Sequence, residues 1–130
     1  REKLARRAFR RPRELEALEA ILHPPIRRAI RRAIAVAKTP YVVLDAPLLQ
    51  ETGLDGLCSA VVYVACDART RRRRARRNRG WTEEEHRLRE GRQWPLRRKR
   101  AGATHVVAND RTPTRARRDV RRVLRAIERN

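Results

Sequence analysis

A chain of 130 residues is long enough for one domain with a core of its own and too short for two. Its 35 basic residues face 15 acidic ones, and a net charge of +20 attracts polyanions: nucleic acid, anionic membrane surfaces and phosphorylated small molecules are all admissible partners. Cys58 and Cys66 are too few for a disulfide framework and sit in no Cys/His metal cluster, and no apolar run approaches ~18 residues, so neither a metal site nor a membrane-spanning helix is expected.

Leu4, Ala5, Ala8 and Phe9 recur at helical spacing, and Pro12 ends that first helix. A second helix is expected from about Arg13, through Leu15, Leu18, Ile21 and Leu22, to a stop at His23-Pro24-Pro25. A third begins near Ile26, with Ile26, Ile30, Ala33, Ile34 and Ala37 on one face and Arg27, Arg28, Arg31 and Arg32 on the other. Tyr41-Val42-Val43-Leu44-Asp45 is then a continuous apolar run ending in a carboxylate, the pattern of a strand buried on both faces. A second such run covers residues 60–66 and a shorter third covers 104–108. Between these two lie a helix over Arg69–Arg79 and another opened by Thr82 with Glu85 three residues on, a capping-box pattern. Gln93-Trp94-Pro95-Leu96 ends that second helix. The last helix follows Thr112-Pro113 and carries Val120, Val123, Leu124 and Ile127 on one face. Strands alternating with helices predict an α/β fold with a parallel sheet.

Several residues stand where chemistry is done. Asp45 closes a buried strand, at the end of a parallel sheet where α/β folds bind ligands. It either holds a metal-bound water or orients an acceptor hydroxyl, or else caps the turn that follows. His23-Pro24 joins two helices, and Arg27 and Arg28 at the start of the next would favour a bound phosphate through their charge and the helix dipole. The Arg69–Arg79 run admits three readings: a lid closing over nucleotide phosphates, a solvated face, or a nucleic-acid stripe. Aromatics make up only 4% of the chain and none interleaves with these arginines, which weakens the last reading. Only Lys3, Lys38 and Lys99 are lysines, so 32 of the basic residues are arginine. That skew resembles the codon bias of a GC-rich genome and lowers the weight of charge alone. No G-x-x-x-x-G-K-[ST] phosphate loop and no nucleophile motif occurs in the 130 residues.

Four segments, in order, resemble the dephospho-coenzyme A kinase family. Leu18 to Arg27 resembles its LE-x-I-x-HP-x-I-R segment, and Asp45 to Gly53 its D-x-PLL-[FY]-E-x-G strand and turn. Arg89 and Gln93 followed by Lys99 are similar to its lid segment, and Ala103 to Asn109 to AD-x-VI-x-N. Gln50 stands where an aromatic is usual, Thr104 where Asp is usual and Arg71 where the lid carries Gln. Arg74 matches a lid arginine, whereas the next falls on Asn78, with Arg79 beside it.

The resemblance implies a single but incomplete P-loop kinase domain over 1–130, transferring the γ-phosphoryl group of ATP to the 3′-hydroxyl of dephospho-coenzyme A with Mg²⁺, in the cytoplasm. It further implies acceptor-binding helices over 1–38, lid helices over 68–100, and core strands and helices over 41–66 and 103–130. Asp45 would be catalytic; His23, Pro24, Arg27, Pro47, Leu48, Leu49 and Glu51 would bind the acceptor; Arg74, Arg79, Arg89, Gln93 and Asn109 would serve the nucleotide and the lid. The family's central strand and phosphate loop would precede Arg1, between the strands at 41–45 and 60–66, and without them the expectation is a chain inactive on its own. A basic nucleic-acid-binding module and an inert coenzyme-binding relative are the rival functions. Nothing in the pattern specifies an oligomer.

Overall fold

The computed structural model describes residues 12–129, so the helix expected over residues 4–9 lies outside them. The chain divides into two compact units between Asp45 and Ala46.

The first unit is built on one helix, α1 (Pro12–Val36), which continues through Pro24 and Pro25. The expected stop at His23-Pro24-Pro25 is therefore corrected. Each proline removes one backbone donor, yet its fixed φ is helical, and the apolar series Leu15, Leu18, Leu22, Ile26, Ile30, Ile34 keeps one phase across them. The strand expected near 41–45 is also absent: residues 41–46 carry no strand, and Val42 and Val43 are 49% and 87% exposed. An apolar run signals burial, but only a hydrogen-bonded neighbour makes a strand, and the two-stranded sheet among the described residues does not include it.

The second unit holds that sheet. Strand β1 (Val62–Ala65) pairs in parallel with β2 (His105–Ala108), Val62 opposite His105 and Ala65 opposite Ala108. Both apolar runs thus form strands, shorter than the runs themselves by one to three residues. The crossover between them carries α2 (Ala68–Arg79), α3 (Glu83–Glu90) and α4 (Leu96–Ala101). α3 ends at Glu90, before the Gln93-Trp94-Pro95 stop expected from sequence. A 3-10 helix covers Leu54–Leu57 ahead of β1. The last helix, α5 (Pro113–Glu128), starts as expected, with the Thr112 side chain accepting from the Arg115 amide and Pro113 in the first turn, and packs on β2.

The core is small. Leu54, Val107 and Val123 are its buried apolar side chains, and no described side chain reaches complete burial. The carbonyls of Val61 and Ala65 accept from Thr104, His105 and Asn109 on the β2 side. By the alternation of a parallel ladder, the backbone groups of Val62 and Val64 then face the other edge of β1. Those two side chains are 40% and 55% exposed. β1 therefore has an edge unpaired among the described residues and, on the side of Val62 and Val64, an exposed apolar face.

Candidate functional site

The turn after Asp45 is wound like one turn of helix. The Thr52 amide and hydroxyl both donate to the Leu48 carbonyl, at 3.0 and 2.7 Å. Gly53 ends the turn in the left-handed region (φ 67°), which suits a residue without a Cβ. This geometry aims Glu51 at the segment after α3. Its Oε1 accepts from the Trp94 amide at 2.8 Å and lies 3.2 Å from the Lys99 ammonium.

Lys99 is the hub of this region. Its Nζ donates to the Pro47 carbonyl (2.5 Å) and to Gln93 Oε1 (2.9 Å), and the Glu51 carboxylate is its third neighbour. The Lys99 and Glu51 side chains are only 14% and 11% exposed. Gln50, buried at the site where the family's aromatic is usual, donates through Nε2 to the Lys99 carbonyl at 3.2 Å. Burial pushes the Glu51 carboxyl up, but hydrogen bonds from the Trp94 amide and its own amide, with the Lys99 ammonium, outweigh it. The group is held below its ordinary value. Glu51 Oε2 is buried without a hydrogen bond among the described residues. Pro47, Glu51 and Gln93, three residues singled out from sequence, therefore meet on a fourth, Lys99. Its signal in the sequence was the lysine that follows Arg89 and Gln93 in the lid-like segment, and here a compact ammonium with three donors fits where a planar fork does not.

The helical pair α2–α3 rises beyond the C-terminal ends of β1 and β2. Asp67 caps α2 by accepting from the Thr70 amide at 2.8 Å, and that bond first, with the Thr70 side chain, holds its carboxyl below the ordinary value. Gly80, at φ 64°, closes α2 with its amide on the Arg76 carbonyl. Thr82 and Glu85 form the capping box expected from sequence.

The arginines of α2 divide by face. Arg71 donates to the Cys66 carbonyl and to Glu90 Oε1, both at 2.6 Å, and so ties α2 to β1 and to α3. Arg74 donates to the Asn109 carbonyl at 2.5 Å, spanning from α2 to the residue after β2. Arg69, Arg72, Arg73, Arg76 and Arg77 point the other way and are exposed. Arg89 stacks over the Trp81 ring at 4.5 Å, and Arg79 lies 6.0 Å from it.

The remaining expected residues lie as follows. His23 and Arg27 share one half-buried stripe of α1, one helical turn apart, and Pro24 is exposed beside them. Asp45 is exposed at the end of the first unit, and Leu48 and Leu49 are half-buried in the turn. A cavity of about 260 Å³ opens along β1, walled by Pro47, Gln50, Tyr63, Val64, Arg71 and Lys99. Arg71 and Lys99 are the residues sequence reasoning left out of the site. Among the described residues no three His, Cys, Asp or Glu side chains gather to hold a metal, and Glu51 is already committed to Lys99. No described helix is long and apolar enough to cross a membrane.

Comparison with known proteins gives a consistent result. A family model for dephospho-CoA kinase matches residues 1–114. The dephospho-CoA kinase of Synechococcus sp. (strain CC9605) is 40% identical over 111 residues, covering 85% of this chain and 54% of that protein. The one from Thermus thermophilus is 37% identical over 124 residues, 95% of this chain and 59% of that one. The crystal structure of TT1252 from Thermus thermophilus superposes with a TM-score of 0.81 at 35% identity, over 96% of this chain and 65% of that one. The chain spans little more than half the length of the curated relatives it matches.

Proposed function

The chain belongs to the dephospho-CoA kinase family, and on that premise we propose that it serves transfer of the ATP γ-phosphoryl group to the 3′-hydroxyl of dephospho-coenzyme A, in the cytoplasm. One observation carries the reading into the geometry: Arg74 of α2 reaches the Asn109 carbonyl beyond the C-terminal end of β2. Ligands of parallel α/β sheets sit in the crevice beyond the strand ends, and a cationic hairpin over it suits phosphates.

Each part then has a role. Residues 68–100 are the lid. Arg74, Arg79 and Arg89 supply its charge, and Gln93 anchors its base through Lys99. Asn109 lies beside the adenine. His23, Pro24 and Arg27 on α1 bind the acceptor, as does the 47–51 turn, and Asp45 orients its hydroxyl. Mg²⁺ would neutralise phosphate charge in this transfer and would need one or two carboxylates to hold it. Among the described residues no three His, Cys, Asp or Glu side chains cluster. The open edge of β1 is where a further parallel strand, the one carrying the family's phosphate loop, would pair. The 130 residues contain no such loop.

The test uses the 130-residue chain with Mg·ATP and dephospho-coenzyme A. The chain binds dephospho-coenzyme A by calorimetry and does not turn over. Arg27→Ala weakens that binding by about 10-fold to 100-fold, the loss of one charge-assisted phosphate contact. Turnover at the ordinary kinase rate of ~1 s⁻¹ would refute the need for the absent loop. Failure of the unmodified chain to bind dephospho-coenzyme A would refute the acceptor assignment.

A further inference from the structure

Among the described residues, the outer face of the α2–α3 hairpin is the strongly charged concave surface that also carries aromatic side chains. Arg69, Arg72, Arg73, Arg76 and Arg77 follow the i, i+3, i+4 rule along one side of α2. The turn at Gly80 brings Trp81 and His86 against them, and together they line a groove of about 990 Å³. Trp81 and His86 sit edge to face, ring centroids 6.5 Å apart. None of the five arginines has an acidic partner among the described residues, and Glu83 is the only carboxylate among those lining the groove. Arg71 and Arg74, by contrast, face the sheet and are engaged there.

We propose that this groove binds single-stranded nucleic acid, its phosphates on the five arginines and its bases against the aromatic wall. Five guanidinium groups over eight residue steps span about 12 Å at ~1.5 Å per residue, a positive charge every ~3 Å. One nucleic-acid strand carries a phosphate per ~3.4 Å of duplex axis. The helix therefore has enough charge to neutralise the segment of strand it can reach. Arginine also binds phosphate bidentately, which an equal number of lysines would not. Sequence-tolerant single-strand sites combine a basic groove of this kind with aromatic side chains. The stripe on α5 (Arg117, Arg118, Arg121, Arg122, Arg125, Arg129) is as basic but lies along one helix, has no aromatic lining, and loses part of its charge to the Arg122–Asp119 pair. The groove lies on the face of α2 opposite Arg74, and it meets the kinase reading only at Trp81, whose ring packs against the lid residues Arg89 and Arg79.

The chain's own composition supplies the control. Fluorescence anisotropy with a labelled 20-nucleotide single strand is measured for the unmodified chain, for R72Q/R73Q/R76Q/R77Q, and for R117Q/R121Q/R122Q/R125Q, which removes the same charge elsewhere. The hairpin variant is expected to weaken binding at least 30-fold and to flatten the log K against log salt slope by about 0.7 per arginine removed. The α5 variant weakens binding by less than 5-fold. Equal losses in the two variants would mean diffuse attraction to a +20 chain and would overturn the site, as would no binding by the unmodified chain, or duplex bound as tightly as single strand. If the hairpin variant fails to fold, W94F leaves Trp81 as the sole tryptophan. Quenching of its emission by the strand supports the groove, and unchanged emission at saturation refutes it.

Discussion

Replacing Lys99 by methionine removes an ammonium that bonds two oxygens and pairs with a third while roughly keeping the volume of its stem. The Pro47 carbonyl and the Gln93 amide oxygen lose their donor, and Glu51 keeps only its backbone partners. With both side chains nearly covered, the loss falls in the range of a broken buried pair, about 3 kcal/mol, rather than that of a surface ion pair. The Trp94 amide is the local reporter, because it donates to Glu51 from the segment that Lys99 pins. A local loss of ~3 kcal/mol raises its hydrogen-exchange rate by about 150-fold, whereas amides of α5 should change little. Lys99→Arg keeps the charge but not the three-way geometry and recovers only part of the protection. The pH dependence has a definite sign. Glu51 is held below its ordinary value near 4.5, so its contribution is present above that pH and is lost as pH falls through the folded-state value. In Lys99→Met this acid limb shrinks. A Trp94 exchange rate altered less than 5-fold by Lys99→Met, or full protection in Lys99→Arg, would refute the hub.

Thr82→Ala removes the side-chain half of the capping box, the bond from the Glu85 amide, while the Thr82 amide still donates to the Glu85 carboxylate; it costs about 1 kcal/mol, seen as faster exchange in the first turn of α3. Gly80→Ala places a Cβ in open space but keeps φ at 64°, so the penalty is backbone strain alone, about 1–2 kcal/mol, read as a lower urea midpoint. Gly102→Ala meets a different obstacle, the Gln50 amide nitrogen 2.5 Å from the new Cβ. Gln50 can swing away at the expense of its bond to the Lys99 carbonyl, so the expected cost is about 1 kcal/mol, and faster exchange at Trp94 reports it.

What the sequence made legible was local. The capping box at Thr82, the Thr112-Pro113 helix start and the apolar runs that became β1 and β2 all depend on residues a few positions apart. What it concealed depended on partners. Residues 41–45 have the apolar pattern of a buried strand, but pattern cannot supply a neighbouring ladder. His23-Pro24-Pro25 reads as a stop because prolines usually end helices, while the in-phase apolar series on both sides carried the helix on. α4, with Arg97, Arg98, Lys99 and Arg100 in six residues, has no apolar period to find. The Lys99 hub joins residues 48 and 52 positions away, a distance at which no local motif operates.

Arginine is the residue whose role composition concealed most. Within one turn of α2, Arg71 and Arg74 are engaged on the sheet side while Arg72 and Arg73 stand exposed on the groove side. Net charge counts all four alike, and codon bias accounts for their number equally well. Their direction is set by the helix period against two fixed points, Asp67 at the start and Gly80 at the end. Shifting the run by a single residue rotates it by about 100° and, in one direction, puts Ala75 in the place of Arg74 and Thr70 and Asn78 in the places of Arg69 and Arg77. The sheet side would then lose the Arg74 contact to Asn109, and the groove would lose part of its free charge. Asp67 and Gly80, neither of them basic, therefore determine which arginines are available to a phosphate.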